Sequence, residues 1–198
     1  MKNIAVFASG AGSNAARIIE HFKNHEAARV ALVVCNKAGA GVIGIAGAAG
    51  VPVLMIEKER FFRGDAYLPQ LHQADISFIV LAGFLWKVPE AIVRAFPGQI
   101  VNIHPALLPK YGGKGMYGDR VHEAVIAAGE TASGISIHYV NEVYDDGKTI
   151  LQVTCPVHPG DTPATLAARI HQLEHKHYPI IIEKLVTSPE NEAAQPAF

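Results

Sequence analysis

Short apolar, β-branched runs alternate along this chain with longer stretches whose apolar residues recur every three or four positions. The runs Asn3–Ala8, Arg29–Cys35, Val53–Ile56, Ser77–Leu81 and Ile100–Ile103 predict strands. Between them, Ser13–Lys23, Gly41–Ala49, Asp65–Gln73 and Pro89–Ala95 predict helices. Strands that are apolar throughout are covered on both faces, as in parallel sheets. The alternation therefore predicts an α/β, doubly wound, mostly parallel sheet.

The pattern changes after His104. Residues Lys110 to Gly118 form a glycine-rich stretch with no hydrophobic period, and a short helix is expected over Asp119–Gly129. Gly134–Asn141 then alternates, with Ile135, Ile137 and Tyr139 set against Ser136, His138 and Val140. Thr149–Val157 is a further strand, and Asp145-Asp146-Gly147 between the two predicts a C-terminal antiparallel hairpin with a tight turn. Thr162 is placed to cap a long final helix, with Pro163 in its first turn and its end near Leu185. No repeat or linker interrupts the chain. The expected organisation is one catalytic-sized domain, residues 1–185, and a flexible polar tail, residues 186–198.

Composition narrows the classes. The chain has 198 residues, 49% hydrophobic and 18% charged, with net charge −1, which suits a folded domain and supplies no basic excess for nucleic acid. No run reaches the ~18 apolar residues of a membrane span. The start of the chain reads as a strand, not a leader. A soluble, cytoplasmic protein with small-molecule substrates is expected, as monomer or homodimer. Cys35 and Cys155 sit in apolar strands, where buried, reduced thiols are the expectation.

Two places carry chemistry. Gly10-Ala11-Gly12-Ser13-Asn14-Ala15 fits a glycine-rich turn between a strand and a helix, where backbone N–H groups and the helix N-terminus attract an anion. A dinucleotide site would end its second strand with an acid, but this strand ends Cys35-Asn36-Lys37. A phosphate-bearing small ligand held by Gly12, Ser13 and Asn14 fits better than a nicotinamide cofactor. A turn without ligand, capped by Ser13, is the plainer alternative. The second place is Asn102-Ile103-His104-Pro105 at the carboxyl end of a strand, where open parallel sheets bind ligands. Alternation puts Asn102 and His104 on one face. An amide and an imidazole there suit the oxyanion of acyl transfer, Asp145 is expected to raise the His104 pKa and hold it protonated, and a carboxylate or an imidazole can accept the proton the attacking amine loses. A hydrogen-bonded strand-end pair is the alternative.

The string Val101-Asn102-Ile103-His104-Pro105-Ala106-Leu107-Leu108-Pro109-Lys110-Tyr111 resembles the active-site signature of the folate-dependent formyltransferases. Leu81-Ala82-Gly83-Phe84, the segment Gly134 to Val140, the Asp145 turn and the late Glu174-His175 with Tyr178-Pro179 are similar to that family too, in order, from residue 2 to about 185. The resemblance implies a formyltransferase fold and formyl transfer from 10-formyltetrahydrofolate, as co-substrate, to the amine of glycinamide ribonucleotide. Another amine acceptor, or a non-catalytic mononucleotide-binding module, is the alternative. It implies Asn102, His104 and Asp145 as catalytic residues. Gly12, Ser13 and Asn14 would hold the ribonucleotide phosphate and Glu174 its ribose. Leu85, Trp86, Lys87, Val88, Asn102, Val140 and Asn141 would line the folate site, with Arg63 at the folate glutamate. No metal is implied. The chain departs from the family pattern at Trp86 and Lys87, in a longer Gly112–Gly118 loop, and at Asp146, where a glycine is usual. Spacing from His138 favours Asp145 over Asp146.

His171-Gln172-Leu173-Glu174-His175 also matches H-x-x-E-H, a zinc-peptidase pattern. No third ligand is evident, and helix histidines with Glu174 turned to the site are the better reading. His138 alternates with core residues and either joins them or faces the site. His21, His25, His72, His122 and His158 are expected at the surface.

Overall fold

The computed structural model describes residues 1–188. In chain order the elements are β1 (Lys2–Ala8), α1 (Ser13–Phe22), β2 (Ala28–Cys35), α2 (Gly41–Ala48), β3 (Val53–Met55), α3 (Lys58–Phe61), α4 (Leu68–Gln73), β4 (Ile76–Leu81), α5 (Glu90–Ala95), β5 (Ile100–His104), α6 (Asp119–Ala127), β6 (Ala132–Tyr139), β7 (Thr149–Pro156) and α7 (Pro163–Thr187). The strands form one seven-stranded sheet in the order β3-β2-β1-β4-β5-β6-β7. β1 to β5 pair in parallel, and β6 and β7 each pair antiparallel to the preceding strand. This is the doubly wound, mostly parallel architecture the pattern predicts.

The all-apolar strands are covered on both faces, as their lack of alternation requires. Along β1, Ile4, Val6 and Ala8 join a core with Ile18, Phe22, Ile170 and Tyr178, while Ala5 and Phe7 join a second core with Phe61, Leu71 and Ile92. The winding reverses between β1 and β4, so the loops after these strands diverge and open a crevice at the carboxyl edge of the sheet. α7 closes the first core over its long apolar stripe. Thr162 and Thr165 form a reciprocal cap at its start, and Pro163 occupies the first turn. Tyr178, wholly buried, donates its hydroxyl to the carbonyls of Leu81 (2.9 Å) and Val101 (3.2 Å). That contact pins the helix to the last residue of β4 and to Val101 of the neighbouring β5.

Several expectations need correction. A four-residue helix, α3, was not foreseen, and α4 begins at Leu68 instead of Asp65. β6 spans Ala132–Tyr139, not Gly134–Asn141, and its Ser136 and His138 are 0% and 2% accessible. The Ser136 hydroxyl is satisfied inside, donating to Ala106 O at 2.7 Å and accepting from Leu108 N and Gln152 Nε2 at 2.9 Å each. The β6–β7 connection is a wide loop, residues 140–148, closed at its base by Tyr139 N donating to Lys148 O at 3.0 Å. α7 continues through Thr187 with Val186 buried, so residues 186 and 187 belong to the helix, and residues 189–198 of the expected tail lie outside the described residues. Both cysteines are free and buried. Among the described residues no helix is long and apolar enough to cross a membrane.

Candidate active site

A cleft of about 660 Å³ lies where the sheet reverses, over the carboxyl ends of β1, β4 and β5. At one end is the N-terminus of α1. Gly12 adopts φ +83° there, and a Cβ would fall 2.8 Å from the Val42 backbone, so only glycine fits the turn. Gly12, not Ser13, is the N-cap, and no side chain caps the helix. Ser13 is instead the first helical residue, exposed, with the unpaired N–H groups of the first turn beside it. Asn14 is buried and donates from Nδ2 to Glu174 Oε2 at 2.8 Å, a contact between α1 and α7. Burial pushes the Glu174 carboxyl above its ordinary range, against the opposing effect of that hydrogen bond.

The centre of the cleft belongs to β5 and to the two loops that flank it. Asn102 and His104 share a face and both line the cleft. His104 is 3% accessible, and its Nε2 meets the Tyr111 carbonyl at 2.7 Å. A carbonyl only accepts, so Nε2 carries a proton and Nδ1 is the nitrogen turned to Asp145, whose Oδ2 lies 3.7 Å away. Asn102 Nδ2 lies 3.1 Å from His138 Nε2, while His138 Nδ1 meets Tyr139 O at 2.8 Å. By the same logic His138 Nδ1 donates and Nε2 accepts one amide hydrogen of Asn102, leaving the other for the cleft. His138 thus faces the site and orients the amide.

Asp145 sits in the left-handed region at φ +51°. Its Oδ2 accepts from Gly113 N at 2.8 Å, and its Oδ1 lies 3.6 Å from His138 Nε2. Burial raises its carboxyl, but the His138 ring, the Gly113 amide and the His104 ring outweigh burial and hold it below its ordinary pKa. Asp146 is exposed, accepts only a long 3.4 Å contact from Asn141 Nδ2, and does not line the cleft.

The balance at His104 reverses the expectation drawn from its partner. Burial lowers its pKa by more than Asp145 and the Tyr111 carbonyl raise it, and His138 adds to the lowering. Burial therefore favours the neutral imidazole in the free protein. Because Asp145 opposes the burial, Asp145→Asn is expected to lower the His104 pKa further, read from the imidazole proton shifts in an NMR titration. A rise in that pKa would show that burial does not dominate.

Leu85, Trp86, Lys87 and Val88 form one wall and Val140 and Asn141 the facing one, with the Gly113–Gly118 stretch as a third. Arg63 is not brought in: it lies exposed on the turn after α3, which turns Phe61 into the core and leaves the next residues outside. His122 was missed. It is 2% accessible, not a surface residue, and lines the cleft beside the buried stripe Val121–Val125 of α6. Its signal was its place at the edge of that helical stripe. His171 and His175 stack with ring centroids 6.2 Å apart, while Glu174 turns to Asn14, so the H-x-x-E-H side chains do not converge. Among the described residues no group of three or more His, Cys, Asp or Glu side chains is placed to hold a metal ion.

Comparison with known proteins places this arrangement. The profile of the family described as formyl transferase matches residues 2–182. A chloroplastic phosphoribosylglycinamide formyltransferase of Arabidopsis thaliana is 43% identical over 183 residues, which make up 89% of this chain and 63% of that protein. The chain thus spans about three fifths of the length of that plant relative. The phosphoribosylglycinamide formyltransferase of Bacillus subtilis is 38% identical over 94% of this chain and 95% of its own. The crystal structure of phosphoribosylglycinamide formyltransferase from Bacillus halodurans superposes with a TM-score of 0.87 at 36% identity, covering 98% of this chain and 100% of that one. With the family profile matching residues 2–182 and the fold in agreement over nearly its whole length, the chain belongs to the formyl transferase family.

Proposed function

We propose that this chain transfers the formyl group of 10-formyltetrahydrofolate to the amine of glycinamide ribonucleotide, a step of purine biosynthesis. The observation that carries the reading is the convergence of Asn102, His104 and Asp145 at the centre of a cleft whose far end is the α1 N-terminus. The α1 turn at Gly12–Asn14 suits the ribonucleotide phosphate and Glu174 its ribose hydroxyls. The walls at Leu85–Val88 and Val140–Asn141 suit the pterin.

The attacking amine forms a bond to the formyl carbon, and the carbonyl electron pair moves to oxygen. The free Asn102 amide hydrogen and a proton on His104 Nδ1 hold that oxyanion. His104 Nε2–H is committed to Tyr111 O, so its second proton must arrive on Nδ1, beside Asp145. At 3.7 Å the carboxylate favours the imidazolium by charge, without a direct hydrogen bond. The amine nitrogen gives up a proton, which Asp145 is placed to relay to His104 Nδ1. The oxyanion then re-forms the carbonyl as the C–N10 bond breaks, and N10 of the folate leaves with the proton from His104. Burial, which favours the neutral imidazole, suits this sequence, because Nδ1 is then open to take up a proton as the oxyanion forms.

The test is turnover of purified protein with both substrates. Formylated ribonucleotide and tetrahydrofolate should appear in equal amounts. Asn14→Ala is expected to raise KM for the ribonucleotide about tenfold or more, the cost of a lost charge-assisted hydrogen bond, with a much smaller effect on kcat. Loss of formyl from the folate without ribonucleotide product would move the proposal to another acceptor, and binding without any product would end the enzymatic reading.

A further inference from the structure

The carbonyl that holds His104 belongs to a strained residue. Tyr111 sits in the left-handed region at φ +57°, which a bulky side chain adopts only where its surroundings enforce it. Its carbonyl oxygen accepts from His104 Nε2 at 2.7 Å. Two residues on, Gly113 N donates to Asp145 Oδ2 at 2.8 Å. One short turn of chain thus touches both groups, whose Nδ1 and Oδ2 stand 3.7 Å apart.

A restraint on that turn comes from outside the cleft. The Tyr111 hydroxyl donates to Glu130 Oε1 at 2.9 Å, and Lys110 Nζ donates to the same oxygen at 2.8 Å. Packing alone does not fix the phenol. Tyr111 is half-buried and leans on the first core, but it also lines a recess of about 250 Å³ with Leu107, Val125 and Ser133. The buried Ser133 hydroxyl in that recess has no hydrogen-bond partner among the described residues, so it does not hold the ring. Glu130 is itself well anchored. Its N–H donates to Val125 O at 3.3 Å in the turn that ends α6, and the next carbonyl, of Thr131, accepts from Val157 N at 2.9 Å. Lys110 and Tyr111 keep its carboxyl below the ordinary range, so it is a charged acceptor at neutral pH. Glu130 lines the recess and not the cleft.

We infer that Glu130 is a positioning residue: through the Tyr111 hydroxyl it holds the left-handed peptide whose carbonyl fixes the His104 ring. Its kinetic consequence rests on the proposed formyl transfer, whereas its hold on the ring does not. Glu130→Ala and Tyr111→Phe are each expected to lower kcat about tenfold and to leave both KM values within twofold, because only the reacting groups are displaced. The double variant should lose no more than the worse single one, since both changes cut the same link. Glu130→Gln keeps an acceptor oxygen and should stay within twofold of the wild-type kcat. Lys110→Ala removes a charge at the same oxygen, spares the phenol, and should stay within twofold as well. NMR of the imidazole nitrogens in the free protein, at a pH where His104 is neutral, reads the link directly. Wild-type protein should hold His104 in the Nε2–H tautomer, and Glu130→Ala and Tyr111→Phe should each shift it toward a mixture with Nδ1–H. An unchanged tautomer in either folded variant, additive losses in the double variant, or an equal loss in Lys110→Ala overturns the link. Wild-type protein without formyl transfer overturns the proposed reaction, and the tautomer then decides by itself whether Glu130 holds the ring.

Discussion

Replacing His104 with alanine is expected to lower kcat roughly a hundred- to a thousand-fold, the usual consequence of removing an oxyanion donor from a preorganised site. The geometry gives the reason. Nε2 is held by Tyr111 O at 2.7 Å, so the ring cannot turn, and Nδ1 remains beside Asp145 over the cleft. Alanine removes both the donor and the proton acceptor in one change. In the proposed reaction the ribonucleotide is held at the far end, by the α1 turn and Glu174, so its KM should move by only a few-fold. Asn102→Ala belongs to the same class, and Asn14→Ala to the opposite one. Steady-state kinetics with each substrate varied in turn checks the division. His104 is buried, so a thermal melt must accompany the kinetics, because loss of activity counts only in a folded variant. A folded His104→Ala protein with kcat within fivefold of wild type would remove the imidazole from the mechanism.

The second large effect is expected from a residue that touches no substrate. A Cβ at Gly147 would lie 1.7 Å from the Tyr139 carbonyl oxygen and 2.7 Å from its carbon. Gly147→Ala must therefore push apart the base of the 140–148 loop, where Tyr139 N meets Lys148 O. Asp145 is only two residues away and is held in a left-handed conformation by that same loop. Displacing a catalytic group by an ångström costs about a hundredfold in rate, and overpacking of this kind costs about 1–3 kcal/mol of stability. Gly47→Ala is the control: nothing lies within 4 Å of its Cβ, and its φ is ordinary. Gly147→Ala is expected to show a lower melting temperature and a hundredfold smaller kcat, and Gly47→Ala neither. Full activity in Gly147→Ala would mean that the loop accommodates the methyl group without moving Asp145.

The sheet was legible because β1 to β5 announce themselves as apolar runs, and a run without alternation can only lie between two layers. β6 was harder. Its alternation left open where Ser136 and His138 go; the hydroxyl and the ring are buried because Ala106, Leu108, Gln152, Asn102 and Tyr139 satisfy them. Hydrogen-bond partners far along the chain leave no trace in a local pattern. The wide 140–148 loop was read as a tight turn for a similar reason: Gly147 is required by the closeness of Tyr139, not by turn geometry. α3 is too short to show a period. At the site, Asn102, His104 and Asp145 were all visible as residues, and the spacing from His138 separated Asp145 from Asp146. The protonation of His104 was not visible. It depends on how completely the ring is desolvated, and a neighbouring carboxylate in the sequence says nothing of that. His122 was hidden as a single polar residue on an apolar helical stripe. Arg63 sits near the mouth in sequence order, but α3 leaves it on the solvent side.

The hydroxyl of Tyr178 joins the last helix to two central strands, and Glu174 stands one turn earlier on the same helix. The Asn14 end of the cleft is consequently gauged by a bolt through the last described helix. A slip of α7 along the sheet would carry the Glu174 carboxylate, and the Asn14 amide bound to it, out of register with β5. In the proposed reaction that carboxylate is the ruler for the ribose.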